Sequence, residues 1–220
     1  MEGLIQFSSR TEAIEALSQR LSFLLLDSVS TKGTASLLLS GGSTPFPVYE
    51  KLVQCPIDYK RVTFGLVDDR FVGINDPSSN EGAIRRIFNG IPGFNLLGMV
   101  SNPMDYEESI NQCNQLYQTF HHGDIALLGM GNDGHFASLF PDDEPSFIGL
   151  QTKDLACIGT SAPTHPVQRI SCNASLLKSI KHRILLIFGD EKWEKLCASK
   201  EEKTPISYIL DELTEIYFAP

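Results

Sequence analysis

The sequence predicts an α/β protein: one domain over residues 1–220, three layers α/β/α, built on a mostly parallel sheet. Three observations lead there. Short continuous apolar runs, Ala35–Ser40, Val62–Val67, Asp124–Leu128 and Arg183–Phe188, read as strands buried on both faces. Between them lie segments with apolar residues at helical spacing, and strand alternates with helix along the chain. No repeat, linker or low-complexity stretch interrupts the order.

Composition narrows the classes. Hydrophobic residues make up 42% and charged residues 20%, ordinary values for a globular chain. No stretch of about 18 uncharged apolar residues is present, so no membrane span is expected. The patch Leu21–Leu26 lacks the basic start of a signal peptide, so a cytoplasmic protein is expected. Eighteen basic against 27 acidic residues leave a net charge of −9, which disfavours nucleic acid and anionic membranes as partners. A small anion needs only a few local cations. Five dispersed cysteines without a C-x-x-C pair argue against a disulfide framework and a zinc site.

Taken in order, Ala13, Ile14, Leu17, Leu21, Leu24 and Leu25 predict an amphipathic helix over 9–29, capped by Ser9 or Thr11. The strand Ala35–Ser40 empties into Gly41-Gly-Ser-Thr-Pro45, followed by Val48, Tyr49 and Leu52 at helical spacing. Thr44 suits an N-cap and Pro45 the first turn. Free N–H groups of Gly42 and its neighbours, with the Ser43 and Thr44 hydroxyls, make a phosphate cradle or a plain structural turn. The loop is neither G-x-G-x-x-G nor a Walker loop, so no nucleotide is implied.

Val62–Val67 ends in Asp68-Asp69-Arg70, poor core residues that read either as a solvated ion pair or as site groups. Asn80 opens a helix holding Ala83, Ile84, Ile87 and Phe88, and suits a cap. A short strand within 94–100 and a polar helix over 105–122, with Ile110, Leu116 and Phe120 on one side, come next. His121 and His122 read as surface residues.

Asp124–Leu128 leads into Gly129-Met-Gly-Asn-Asp-Gly-His135, where glycines frame Asp133 and His135 at a strand's carboxyl end. These two residues are the candidate reaction centre. Asp142–Glu144 reads as a solvated turn, Leu155–Ile158 as a strand, and 163–171 as an extended segment carrying Arg169. Leu176, Leu177 and Ile180 mark a helix. Arg183–Phe188 is a strong strand, and Gly189–Lys192 opens a helix. A further helix over 205–213 precedes an edge strand at 216–218. Right-handed crossovers place the loops at 41–45, 68–70, 129–135 and 189–192 at one end of the sheet. The sum is a fold of modified Rossmann type.

Ser40-Gly-Gly-Ser-Thr-Pro45, Asp68-Asp-Arg70 with Ser79-Asn80, Gly129–His135, Pro166-Val-Gln-Arg169-Ile and Gly189-Asp-Glu-Lys192 come in one order. In this the chain resembles, over nearly its whole length, the 6-phosphogluconolactonase and glucosamine-6-phosphate isomerase/deaminase superfamily. Deaminases of that superfamily follow the histidine with a segment like I-A-F-N-E-P. Here Phe140 stands where their glutamate would be, within the lactonase pattern G-H-x-A-S-L-F-P. Arg70 likewise matches the lactonase D-E-R rather than the deaminase tyrosine, although Asp69 replaces its glutamate.

The resemblance implies hydrolysis of a sugar phosphate lactone, with no cofactor and no metal. His135 would be the general base, with Asp133 orienting its ring or holding a sugar hydroxyl. Arg70 would stabilise the oxyanion or the product carboxylate. Asp68 and Asn80 would contact the sugar, and Gly42, Ser43, Thr44, Arg169 and Lys192 the phosphate. Ser138 lacks a G-x-S-x-G elbow and is not expected to be a nucleophile. The alternatives are a deaminase-like enzyme and a noncatalytic sugar-phosphate sensor. A monomer or homodimer is expected.

Overall fold

The computed structural model describes residues 3–220. The four apolar runs become the middle of a seven-stranded parallel sheet. Its strands are β1 (Leu4–Gln6), β2 (Ala35–Leu39), β3 (Val62–Leu66), β5 (Asn95–Leu97), β6 (Ile125–Leu128), β9 (His182–Phe188) and β10 (Glu215–Ala219). They lie in the order β1-β10-β9-β6-β2-β3-β5. Leu37, Leu38 and Leu39 are all fully buried, and so are all four residues of β6. Successive side chains point to opposite faces, so burial without alternation means that both faces are covered.

The described residues form seven α-helices around the sheet. Helix α1 (Arg10–Lys32) is capped by Ser9, whose hydroxyl accepts the Glu12 N–H, and stops at Gly33 with φ 84°. It packs on α2 (Phe46–Leu52), which contacts α3 (Asn80–Ile87). Helix α4 is Tyr106–Tyr117, α5 Glu144–Gln151, α6 Ala174–Ser179 and α7 Asp190–Glu202. Among the described residues no helix is long and apolar enough to cross a membrane.

A second sheet is absent from the sequence reading. Strands β4 (Asp68–Arg70), β8 (Gln168–Cys172) and β7 (Cys157–Ser161) pair antiparallel. The segments read separately as a strand and an extended run are thus one hairpin, and Asp68–Arg70 is its third strand rather than a loose loop.

Other expectations need correction. The C-terminal strand is not an edge, because β1 pairs outside it. The helix expected over 205–213 is two 3-10 turns, Pro205–Tyr208 and Leu210–Glu212. The acid run 142–144 starts α5, with the Asp143 carboxylate accepting the Ser146 N–H at 2.9 Å. Helix α4 buries Ser109, Cys113 and Tyr117, while Leu116 stays 43% exposed. Helix α2 starts one residue late: Pro45 holds the cap position and Thr44 does not cap. The cap of α3 is Ser79, not Asn80.

Candidate active site

The ends of β2 and β3 are level, with Leu39 opposite Leu66, and β6 ends at Leu128 beside Leu185 of β9; the loops that follow these strands share one cleft. They enclose a cleft of about 290 Å³. From the expected groups Gly42, Ser43, Thr44, Asp68, Arg70, Asn80, His135 and Lys192 line it, together with Met130, Ala137 and Leu186. Asp133 and Arg169 do not line it.

The glycine loop is tied down from both sides. Ser40 donates its hydroxyl to the Leu127 carbonyl at 2.8 Å, and Tyr49 donates to the Ser40 carbonyl at 2.9 Å. A Cβ on Gly41 would fall 1.9 Å from Asn80 Oδ1, so this contact of loop and α3 admits glycine alone. Asn80 in turn donates to the Asp68 carbonyl at 2.9 Å.

Asp69, whose role the sequence leaves in doubt, is a structural anchor. Buried to 1% exposure, it accepts the N–H groups of Arg70, Asn80 and Glu81 at 2.8, 2.7 and 3.0 Å. It thereby joins β4 to the start of α3 and fixes Asp68 and Arg70 on either side. Arg70 donates through Nη1 to the Ser78 carbonyl.

Opposite Arg70 in the strand register is Arg169, 6% exposed, with Nε and Nη1 lacking any protein acceptor. Burial, and then the charge of Arg70, push its guanidinium below the ordinary value. A buried arginine with two unsatisfied donors, beside a second arginine, favours an anion nearby. Across the cleft, Lys192 lies in the first turn of α7 after Gly189, and burial lowers its ammonium.

The His135 ring is set by contact. Nδ1 lies 2.6 Å from Asp133 Oδ1, which also accepts the His135 backbone N–H at 3.1 Å. Burial raises the Asp133 carboxyl, but the hydrogen bond and charge of His135 outweigh it and hold the group below its ordinary value. With Nδ1 engaged, Nε2 is the nitrogen left to exchange a proton. Phe140 packs on the imidazole, ring centroids 4.7 Å apart.

A Cβ on Gly131 would lie 2.2 Å from His135 Cε1 and 2.8 Å from Asp133 Oδ1. Gly131→Ala must therefore displace the pair. On the catalytic role proposed for the pair below, a shift of about 1 Å at the reacting group costs about 100-fold, so kcat should fall by that order, as steady-state kinetics would show. An unchanged kcat would mean that the pair tolerates displacement.

Sequence reasoning missed two features here. Ala137, on the cleft wall, has φ 50°, a conformation disfavoured for any residue with a Cβ. Ser138 reaches Asp68, a contact between residues 70 positions apart that no local pattern signals. Among the described residues no group of three or more His, Cys, Asp or Glu side chains is placed to hold a metal ion.

Together the fold and the cleft define a class: an α/β protein whose site lies at the carboxyl ends of parallel strands, with cations beside an Asp–His pair. Residues 8–218 match the family described as glucosamine-6-phosphate isomerases/6-phosphogluconolactonase, and the chain belongs to that family. It is 32% identical over 210 residues to a 6-phosphogluconolactonase of Xylella fastidiosa (strain 9a5c), covering 93% of this chain and 88% of that one. The crystal structure of a 6-phosphogluconolactonase from Shewanella baltica OS155 superposes with a TM-score of 0.93 at 25% identity, covering 100% of this chain and 98% of that one. A monomeric glucosamine-6-phosphate deaminase shares the fold, with a TM-score of 0.80 at 18% identity over 100% and 96% of the two chains. The fold therefore does not separate the two branches; the site residues must.

Proposed function

We propose that this chain hydrolyses 6-phospho-D-glucono-1,5-lactone to 6-phosphogluconate, a step of the oxidative pentose phosphate pathway. The observation that carries the proposal is the Asp133–His135 pair with Phe140 against the imidazole. Isomerisation with ammonia release calls for an acid at that position, and a phenyl ring transfers no proton. Lactone hydrolysis needs only an activated water, an oxyanion donor and an anchor for the substrate.

In the proposed sequence the phosphate sits on the Gly42-Ser43-Thr44 loop, neutralised by Lys192, while Arg169 adds positive potential from behind Arg70. Asp68 and Asn80 hold the sugar. His135 Nε2 takes a proton as water oxygen attacks the lactone carbonyl, and Arg70 stabilises the resulting oxyanion. The carbon–ring-oxygen bond then breaks, and the imidazolium returns the proton to the departing hydroxyl. Asp133 keeps the ring in the productive tautomer. No cofactor or metal takes part in these steps. The partner is the small anionic lactone, not nucleic acid or membrane. A monomer or homodimer in the cytoplasm completes the proposal.

Freshly generated lactone and glucosamine 6-phosphate, offered separately, test the reading. Acid release from the first without ammonia from the second is expected; ammonia release with inert lactone would overturn it. Lys192→Ala should raise KM for the lactone by about tenfold, the scale of one charged hydrogen bond, with kcat little changed. An unaltered KM would remove Lys192 from the phosphate site.

A further inference from the structure

Ser138 is buried to 2% exposure in a tight turn, closed by the Leu139 N–H donating to the Phe136 carbonyl at 3.0 Å. Its backbone is held by hydroxyls of the small sheet. The Ser138 N–H donates to Ser171 Oγ at 3.1 Å. Its carbonyl accepts from Thr160 Oγ1 at 2.7 Å. Ser171 is also the register partner of Asp68. A serine fixed this firmly has one free group, its hydroxyl, and that hydroxyl donates to Asp68 Oδ2 at 2.5 Å.

Among the described residues no other donor is bonded to the Asp68 carboxylate, so Oδ1 is left for the cleft that this residue lines. A carboxylate on a cleft wall has two rotatable bonds and would otherwise sample several directions, which weakens any contact that depends on orientation. The Ser138 bond removes that freedom. The same bond explains a serine in this motif without nucleophilic chemistry, since its proton is committed to a carboxylate and no histidine touches it.

We propose that Ser138 is a positioning residue: it locks Asp68 so that Oδ1 accepts a hydroxyl of the bound sugar. The role rests on the lactonase reading above and extends it to a residue outside the cleft wall.

A double-mutant cycle tests it, with kinetics on fresh lactone for Ser138→Ala, Ser138→Cys, Asp68→Asn and the combinations. Each Ser138 variant alone should lower kcat/KM about tenfold, the scale of one charged hydrogen bond, with the native fold retained by circular dichroism. In the Asp68→Asn background the same changes should cost less than about twofold. Ser138→Cys keeps the volume but donates weakly, so it carries the test if the alanine variant folds poorly. Equal losses in both backgrounds, or no loss in either, would overturn the role. Wild-type protein inactive on the lactone would overturn the lactonase reading and this role together. An active wild type with unaffected Ser138 variants would overturn the role alone.

Discussion

Replacing His135 by alanine should lower kcat for the lactone by about 10²–10⁴-fold while KM stays near its wild-type value. The size follows from general-base catalysis: without the imidazole, water must attack with no acceptor for its proton. The selectivity for kcat follows from the geometry. The phosphate loop at 42–44 and Lys192 hang from β2 and β9, and neither depends on the His135 ring. Asp133 would remain, but it does not line the cleft and cannot replace Nε2. A pH-stat assay at saturating lactone gives the number. Retention of more than about half of kcat would remove His135 from the chemistry.

The second large effect is on stability. Asp69→Asn should destabilise the fold by roughly 2–4 kcal/mol, measured by urea denaturation. Asp69 Oδ1 accepts from Arg70 and Asn80, and Oδ2 from Glu81. An amide keeps one oxygen and turns a second N–H donor against the remaining buried N–H. Burial pushes the Asp69 carboxyl from 3.8 up to about 6, against the pull of those three donors. Because its folded value lies above the unfolded one, the native state keeps a proton that the unfolded chain has released. The contribution of Asp69 to stability is therefore largest below about 4 and declines as pH rises through 6. The gap between wild type and Asp69→Asn should narrow over that range. A gap that widens would mean that the hydrogen bonds, not burial, dominate this carboxyl.

How far the residues announce all this depends on the kind of element. Strands β2, β3, β6 and β9 are legible because burial on both faces leaves continuous apolar runs. Their carboxyl-end loops are legible because glycines and polar groups in such places have few structural excuses. The small sheet is not, because Gln168, Arg169, Ser171, Gly159 and Thr160 obey no hydrophobic alternation. The interior place of β10 depends on β1, a partner of three half-exposed residues. The eight residues of α5 hide behind an acid run whose Asp143 is its cap.

Within the site, residue types reveal His135, Asp133, Arg70 and the glycine loop. Partnerships across the chain stay invisible: Ser138 bonds to Asp68, Asp69 to the start of α3, and Arg169 meets Arg70 through the pairing of β4 with β8. Phe140 is intermediate. Its identity shows that an acid is missing, while its contact with the imidazole emerges only in the fold.

The central claim is a lactone hydrolase that recognises its substrate through the phosphate. The most direct test follows two fresh lactones by NMR, 6-phospho-D-glucono-1,5-lactone and its unphosphorylated counterpart, each with and without the protein. The account predicts rapid opening of the phosphorylated ring, with the unphosphorylated one decaying close to its rate in buffer. A phosphorylated lactone that opens no faster with the protein than in buffer would contradict it.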